Sequence, residues 1–455
     1  MTLRRYERYK DCGVEWLGPV PAHWEVTRLK FIAHVQTGVA KGKDNTGQKT
    51  VLVPYLRVAN VQDGYLDLDE VSTIEIPADD LPRYRLRAGD VLMNEGGDFD
   101  KLGRGNVWDG GIDPCIHQNH VFAVRPFGVS PQWLNLVTGS AYAQFYFMSR
   151  SKQSTNLASI SSTNVMELPV VLPPAAEQEG IGAYLGRETA KIDTLITEQQ
   201  RLIVLLTEKR QAVIAQAVTK GLNASAPMQD SGVEWLGAVP AHWDVKAIKW
   251  LTPVLRGASP RPIDDARYFD DDGEYAWVRI SDSSASDGVL LETTQQLSEL
   301  GSSLSVKLEP GELFVSIAGT VGKPCIAGIK CCIHDGFVYF PKMPFDPAFL
   351  FRLFEHGACY AGLGKMGTQL NLNTETIGSI RVGLPPSDEM TNILEYINTE
   401  TGKFDGLIGE ARSATNLLRE RRAALISAAV TGQIDLRDAA PLETALAETA
   451  ADIAS

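Results

Sequence analysis

The sequence predicts an α+β protein built as an internal duplication. Two similar globular domains are joined by two long antiparallel helices that pair as a coiled coil about a pseudo-two-fold axis. Three observations predict this. Gly13-Val14-Glu15-Trp16-Leu17-Gly18 and Pro21-Ala22-His23-Trp24 return as Gly232-Val233-Glu234-Trp235-Leu236-Gly237 and Pro240-Ala241-His242-Trp243. Each copy closes alike, Leu172-Pro173-Pro174 against Leu384-Pro385-Pro386 and Ile192-Asp193-Thr194-Leu195-Ile196 against Phe404-Asp405-Gly406-Leu407-Ile408. An apolar stripe at helical spacing follows each double proline. The unit is far longer than a solenoid repeat, so each copy can bury its own core.

The chain divides in order into a first globular domain at 1–175, a spacer helix at 176–222, a second globular domain at 223–388 and a second spacer helix at 389–436. An Ala-rich tail, 437–455, falls outside the repeated pattern and is a candidate for disorder.

Each globular domain opens on Trp-rich, turn-punctuated sequence. Trp16, Trp24, Trp235 and Trp243 lie where the copies agree best, which assigns them to core packing. His23 and His242 are expected to hold, by pairing to backbone, the turns that Pro21 and Pro240 begin. Val51–Val58, Tyr275–Ile280, Val121–Val124 and Phe337–Phe340 have the β-branched and aromatic content of strands. Short helices are expected near 131–148 and 347–363. The middles of the copies, 39–164 and 257–373, align only in fragments such as Leu86–Val91 with Leu308–Leu313 and Cys115-Ile116-His117 with Cys332-Ile333-His334. A shared scaffold with two different surfaces suits two ligands, or two halves of one.

The double prolines can precede a helix, and Ser387-Asp388-Glu389 places acidic groups where a helix N-terminus favours them. In the first helix Ile192, Ile196, Ile203, Leu206, Val213 and Ala217 form the stripe, interrupted by Gln199 and Arg210. Leu407, Ala411, Ala414, Leu418, Leu425 and Ala428 form the second, and Gly221 and Gly432 are matching stops. Each stripe-bearing helix is expected to run about 30 to 35 residues, or about 50 Å. An exposed apolar stripe is unstable alone, so the helices should pack on each other.

Composition is that of a soluble globular protein, 44% hydrophobic and 22% charged over 455 residues. No apolar run approaches the roughly 18 residues that span a bilayer. The chain reads as cytoplasmic and without a membrane partner. Cys12, Cys115, Cys325, Cys331, Cys332 and Cys359 lack a C-x-x-C pattern and read as reduced thiols. A net charge of −13 argues against generic nucleic-acid binding without excluding it, since Lys41, Lys43, Lys49, Lys101 and Arg104 cluster in expected loops.

Catalytic constellations fail on inspection. Gly319-Thr320-Val321-Gly322-Lys323 lacks the first glycine of a phosphate loop, and Pro324 follows the lysine. Cys115 with His117, and Cys325, Cys331 and Cys332 with His334, do not have zinc spacing. Neither a methyltransferase motif nor a nuclease carboxylate cluster appears. Polar residues remain: Asn156 to Asn164 in copy one and Lys365 to Thr374 in copy two form clusters that recur at the same place. Gln118 and Asn119 lie beside a strand edge, where such side chains can contact base edges.

With these motifs together, Asp230 to Gly237, Pro240 to Trp243, the variable middles, Leu-Pro-Pro and the long Ile-Asp helix, the chain resembles the specificity subunits of type I restriction-modification systems over residues 9–436. Cys12 stands where copy two has Ser231. The resemblance implies that the globules are target-recognition domains, each reading half of a bipartite double-stranded DNA sequence. It implies spacer helices that act as a ruler and dock two methyltransferase subunits, with restriction subunits added for cleavage. S-adenosylmethionine, ATP and Mg would then sit on those partners; no catalytic, cofactor-binding or metal residue is expected here. Candidate DNA contacts are Lys41, Lys43, Arg57, Asn60, Lys101, Arg104, Gln118, Asn119, Asn156, Ser161, Ser162 and Asn164 in copy one. In copy two they are Arg279, Lys323, His334, Lys365, Thr368, Gln369, Asn371 and Asn373. Candidate partner-docking residues are Ile196, Ile203, Leu206, Val213, Leu407, Leu418 and Leu425. The alternatives are a duplicated-domain carbohydrate-binding protein or enzyme, and a structural assembly protein.

Overall fold

The computed structural model describes residues 4–42, 45–99, 102–153, 157–363 and 372–437. The chain forms two compact units, one of residues 1–199 with 413–455 and the other of 200–412. Each unit therefore combines one globule with a piece of both long helices.

In the first unit, fully buried Val91–Asn94 pairs antiparallel with Val121–Pro126 on one side and Gly105–Val107 on the other. Ala33–Thr37 extends the sheet beyond Val121–Pro126. Gly105 is required here, because a Cβ would collide with the Leu92 carbonyl across the ladder. A second sheet places Thr50–Leu56 between antiparallel Ser72–Pro77 and parallel Ile116–His117. The second unit repeats the plan. Leu313–Ser316 lies between Phe337–Tyr339 and Pro324–Ala327, with Leu255–Arg256 outermost, and Tyr275–Val278 runs parallel to Cys331–Ile333.

Trp24, Trp133, Phe122 and Phe147 are at most 1% exposed and anchor the first core, with the Trp24 and Trp133 rings edge-on at 6.0 Å. Trp243 is buried as expected, but Trp16 lies 40% exposed, stacked on Tyr146. The histidines also differ from expectation. His23 Nε2 meets Glu177 Oε1 at 2.6 Å and His242 Nε2 meets Glu389 Oε2 at 2.7 Å. Both carboxylates sit in the first turn of a long helix, where the exposed N–H groups favour negative charge. The repeated histidines thus tie each globule's opening turn to a helix start rather than to backbone.

The long helices are Ala175–Lys220, 46 residues, and Ser387–Val430, 44 residues. They exceed the length read from the stripes. Gly180, Gly182 and Gly186 each weaken helix by about 1 kcal/mol, yet buried Ile181 and Leu185 anchor that stretch in the core. Packing outweighs propensity there.

Within the first unit, Ile181 and Leu185 share a core with Ile426, Ala429 and Val430, and Arg422 Nε lies 2.9 Å from Asp193 Oδ1. Partner numbers fall as helix numbers rise, so these pieces run antiparallel. The second unit makes the same arrangement, with Arg210 Nε 2.9 Å from Asp405 Oδ1 and Ile214 and Val218 packed with Ile393 and Ile397. The ion pair is thus duplicated, each helix giving one arginine and one aspartate. Gly432, in the left-handed region at φ 71°, ends the second helix against Pro21 and Trp24, where a Cβ would strike the proline ring. The tip beyond it, through Leu436, completes the first core.

Candidate nucleic-acid interface

Three segments meet at one edge of the first unit. The Val39 N–H donates to the His117 carbonyl (2.9 Å), the Asn119 N–H to the Val39 carbonyl (3.1 Å) and the Gln118 N–H to the Leu56 carbonyl (2.8 Å). Lys41, Arg57, Gln118 and Asn119 therefore stand on neighbouring strand ends. The Gln118 side-chain amide has no hydrogen-bond partner among the described residues.

The same edge exists in the second unit, but one residue away from where the sequences align. The Val121 N–H donates to the Gln118 carbonyl at 2.9 Å, whereas the Phe337 N–H donates to the His334 carbonyl at 3.1 Å. Val39 bonds His117 while its counterpart Ala258 bonds Ile333 (3.1 Å), and Tyr55 opposes Ile116 as Trp277 opposes Cys332. Cys115-Ile116-His117-Gln118 therefore matches Cys331-Cys332-Ile333-His334. The adjacent cysteines had hidden the offset. Gln118, not His117, stands where copy two has His334.

His117 is a core residue. Its Nδ1–H donates to the Val121 carbonyl at 2.7 Å, and burial pushes its pKa down to about 4. The cysteines are packing residues too, burial raising Cys115 to about 12 and Cys332 to about 11. Among the described residues, no three His, Cys, Asp or Glu side chains gather as metal ligands.

In the second unit this edge opens into a pocket of about 490 Å³ lined by Arg261, Trp277, Arg279, Gln295, His334 and Asp335, among others. The His334 ring lies 5.9 Å from Trp277 and 4.7 Å from Phe337. The Gly336 N–H donates to His334 Nδ1 at 2.8 Å, which leaves the ring proton on Nε2, and burial lowers the His334 pKa. Burial alone would raise the Asp335 carboxyl, but the Ser259 hydroxyl (3.1 Å) and Arg261 (3.1 Å) hold it below its usual range. Arg261, Trp277, Gln295 and Asp335 were not singled out in the sequence, because only the fold brings them beside His334.

Arg57 and Arg279 occupy matching places. Asn60 Oδ1 accepts the Arg57 N–H and Asp282 Oδ2 the Arg279 N–H, both at 2.9 Å. Both arginines have a buried Nε with no hydrogen-bond partner among the described residues. Arg279 also donates to Thr294 and is 43% exposed.

Other candidates have internal roles. Asn60 is 3% exposed, and its amide donates to the Asp67 (2.9 Å) and Glu70 (3.0 Å) carbonyls, so it is a loop brace and not a DNA contact. Lys323 Nζ donates to the Ser284 (2.6 Å) and Ser286 (2.9 Å) carbonyls and is equally committed. Arg104 holds the matching backbone position, its carbonyl accepting from Asn94 as that of Lys323 accepts from Ser316. Ser161 and Asn373 cap helices Ser162–Met166 and Thr374–Ser379, and Asn164 donates to the Arg150 carbonyl. Their recurrence has a structural cause, since each helix ends on a carbonyl, Leu168 or Ile380, that accepts from Leu29 or Ile248. Ser162 lies half-buried in the first turn. Lys43, Lys101, Asn156, Lys365, Thr368, Gln369 and Asn371 lie outside the described residues, as does most of the tail.

On the helices, Leu206 is buried and Ile196, Ile203, Val213, Leu418 and Leu425 are half-buried, Leu425 against the first core. Leu407 is 48% exposed. It belongs to a different set that repeats. Leu195 and Leu205 are 50% and 48% exposed, and their counterparts Leu407 and Leu417 are 48% and 64% exposed.

No protein-family model matches the chain. It is 22% identical over 434 residues to the type I restriction enzyme MjaX specificity subunit of Methanocaldococcus jannaschii, covering 92% of this chain and 96% of that one. It is also 22% identical over 220 residues to the type I restriction enzyme EcoKI specificity subunit of Escherichia coli, 46% of each chain. A chain from a structural study of complex assembly and conformational transition in the type I restriction-modification system superposes with a TM-score of 0.69. That match is 16% identical and covers 90% of this chain and 98% of the other. Along nearly its whole length the chain is thus similar in sequence to type I restriction enzyme specificity subunits, and it shares its fold with a chain from a type I restriction-modification system.

Proposed function

We propose that this chain reads a bipartite double-stranded DNA target, one half with each globule, and brings two methyltransferase subunits and the restriction subunits to it. The observation that carries the reading is an edge built twice on one backbone plan with different side chains, Gln118 in one copy and His334 in the other. Duplicated scaffolds with unlike readers suit a target whose halves differ. The charge of −13 fits a protein whose partners supply much of the phosphate neutralisation.

The repeated exposed leucines support two copies of one partner. Leu195 with Leu205, and Leu407 with Leu417, present the same apolar spacing on each long helix. Equal surfaces bind equal partners, as closed assemblies use repeated interfaces. S-adenosylmethionine, ATP and Mg²⁺ are assigned to the partners. The Gly319–Lys323 loop has its Lys323 ammonium held by two backbone carbonyls, leaving it unavailable to a phosphate.

The test is reconstitution with the methyltransferase subunits, labelled S-adenosylmethionine and a library of DNA duplexes. The complex should methylate DNA at two separated, specified half-sites, and the isolated chain should transfer no methyl group. Transfer by the isolated chain, or one contiguous specified site, contradicts the reading.

A further inference from the structure

We propose that the two units read opposite hydrogen-bond patterns from equivalent positions: Gln118 reads an adenine in one half-site, and His334 with Arg279 reads a guanine in the other. This rests on the DNA-reading function proposed above.

The argument is one of donors and acceptors. Gln118 carries one acceptor oxygen and a donor NH₂ and has no protein partner among the described residues. Adenine offers N7 as acceptor and N6 as donor in the major groove, the pattern a glutamine amide matches in two bonds. The matching position in the second unit cannot offer an acceptor. His334 Nδ1 already receives the Gly336 N–H, so the ring presents only its Nε2–H. Arg279, on the same pocket wall, adds guanidinium donors and has no acceptor. Guanine presents two adjacent acceptors, N7 and O6, and is the base edge that the His334 Nε2–H and the Arg279 guanidinium satisfy together. Asp335, next to the ring, is occupied by Ser259 and Arg261 and does not restore a free acceptor there. An acceptor-bearing pyrimidine edge is left with a single contact, so guanine is favoured over thymine.

The experiment maps methylated bases across genomic DNA from cells carrying the methyltransferase subunits with the full wild-type chain, Gln118→Ala or His334→Gln. Gln118→Ala should relax one A·T position in one half-site by about ten- to a hundredfold, leaving the other half unchanged. His334→Gln puts in the second unit the amide that Gln118 carries at the matching position of the first, so one G·C position in the other half should shift toward A·T. Binding of both variants to non-target DNA and their melting temperatures should match wild type, which separates lost reading from lost folding. A wild-type motif that is bipartite but unaltered by both variants overturns this inference alone. So does a change in both halves from one substitution, or loss of non-target binding with the specificity. A wild-type motif that is not bipartite overturns the underlying function instead.

Discussion

At the residue scale, the site separates side chains committed to the fold from those left open. Asn60 and Lys323 are polar and close to the edge, yet each spends its donors on backbone carbonyls. His117 is the sharpest case. Its Nδ1–H is fixed on Val121 and its other nitrogen is buried without a partner among the described residues, so protonation would bury a charge. A histidine pKa lowered in the fold means that the unfolded chain binds the proton more tightly. The stabilisation is therefore complete above about pH 6.5 and is lost as pH falls toward about 4, roughly 3 kcal/mol in all. Chemical denaturation of the first unit should show this loss, and His117→Asn, which keeps a donor near the Nδ1 position, should flatten it. An unchanged pH slope in the variant would show that His117 is not the group responsible.

At the element scale, much was legible beforehand. The tryptophan blocks, both double prolines and the matching Ile-Asp segments marked the repeat, and Trp24 and Trp243 are the core residues that their recurrence implied. Other features were hidden for physical reasons. The apolar stripe is legible in the sequence only from Ile192 onward, because the glycines at 180, 182 and 186 interrupt it and the burial of Ile181 and Leu185 in the first core is set by the fold. The polar clusters around Ser161 and Asn373 looked like a shared binding surface, since a cap is recognisable only once its helix is known. Doubling of Cys331 and Cys332 concealed the one-residue shift that puts His334 opposite Gln118. The helices also carry two apolar sets where one was read: a half-buried set and the exposed leucines. If the exposed set holds the two methyltransferase subunits, Leu205→Glu or Leu417→Glu should each leave the melting temperature within about 1 °C, since exposed substitutions change stability little. Native mass spectrometry should then show each variant retaining one methyltransferase copy where wild type holds two. Retention of both copies by both variants would assign the leucines no docking role.

At the scale of the whole molecule, each long helix runs from one unit into the other, and each unit is closed by the same arginine–aspartate pair. The duplication thus reaches the connections as well as the globules. The proposal that follows is that helix length, rather than any surface residue, sets the separation of the two half-sites. Deleting Leu202 to Glu208 together with Ala414 to Glu420 removes seven residues from each helix and nearly preserves the phase of the apolar stripe. It spares Asp193, Arg210, Asp405 and Arg422 but removes Leu205 and Leu417, so the full-length chain carrying both Leu205→Glu and Leu417→Glu is measured beside it as the control for lost docking. The helices shorten by about 10 Å, close to three base pairs at about 3.4 Å each. The decisive measurement is the spacing between methylated half-sites for wild-type and shortened chains, each assembled with the methyltransferase subunits. A folded, shortened chain should keep both half-site sequences and either prefer a shorter spacing or lose the original site. Methylation of the original site at unchanged spacing and affinity would contradict the account.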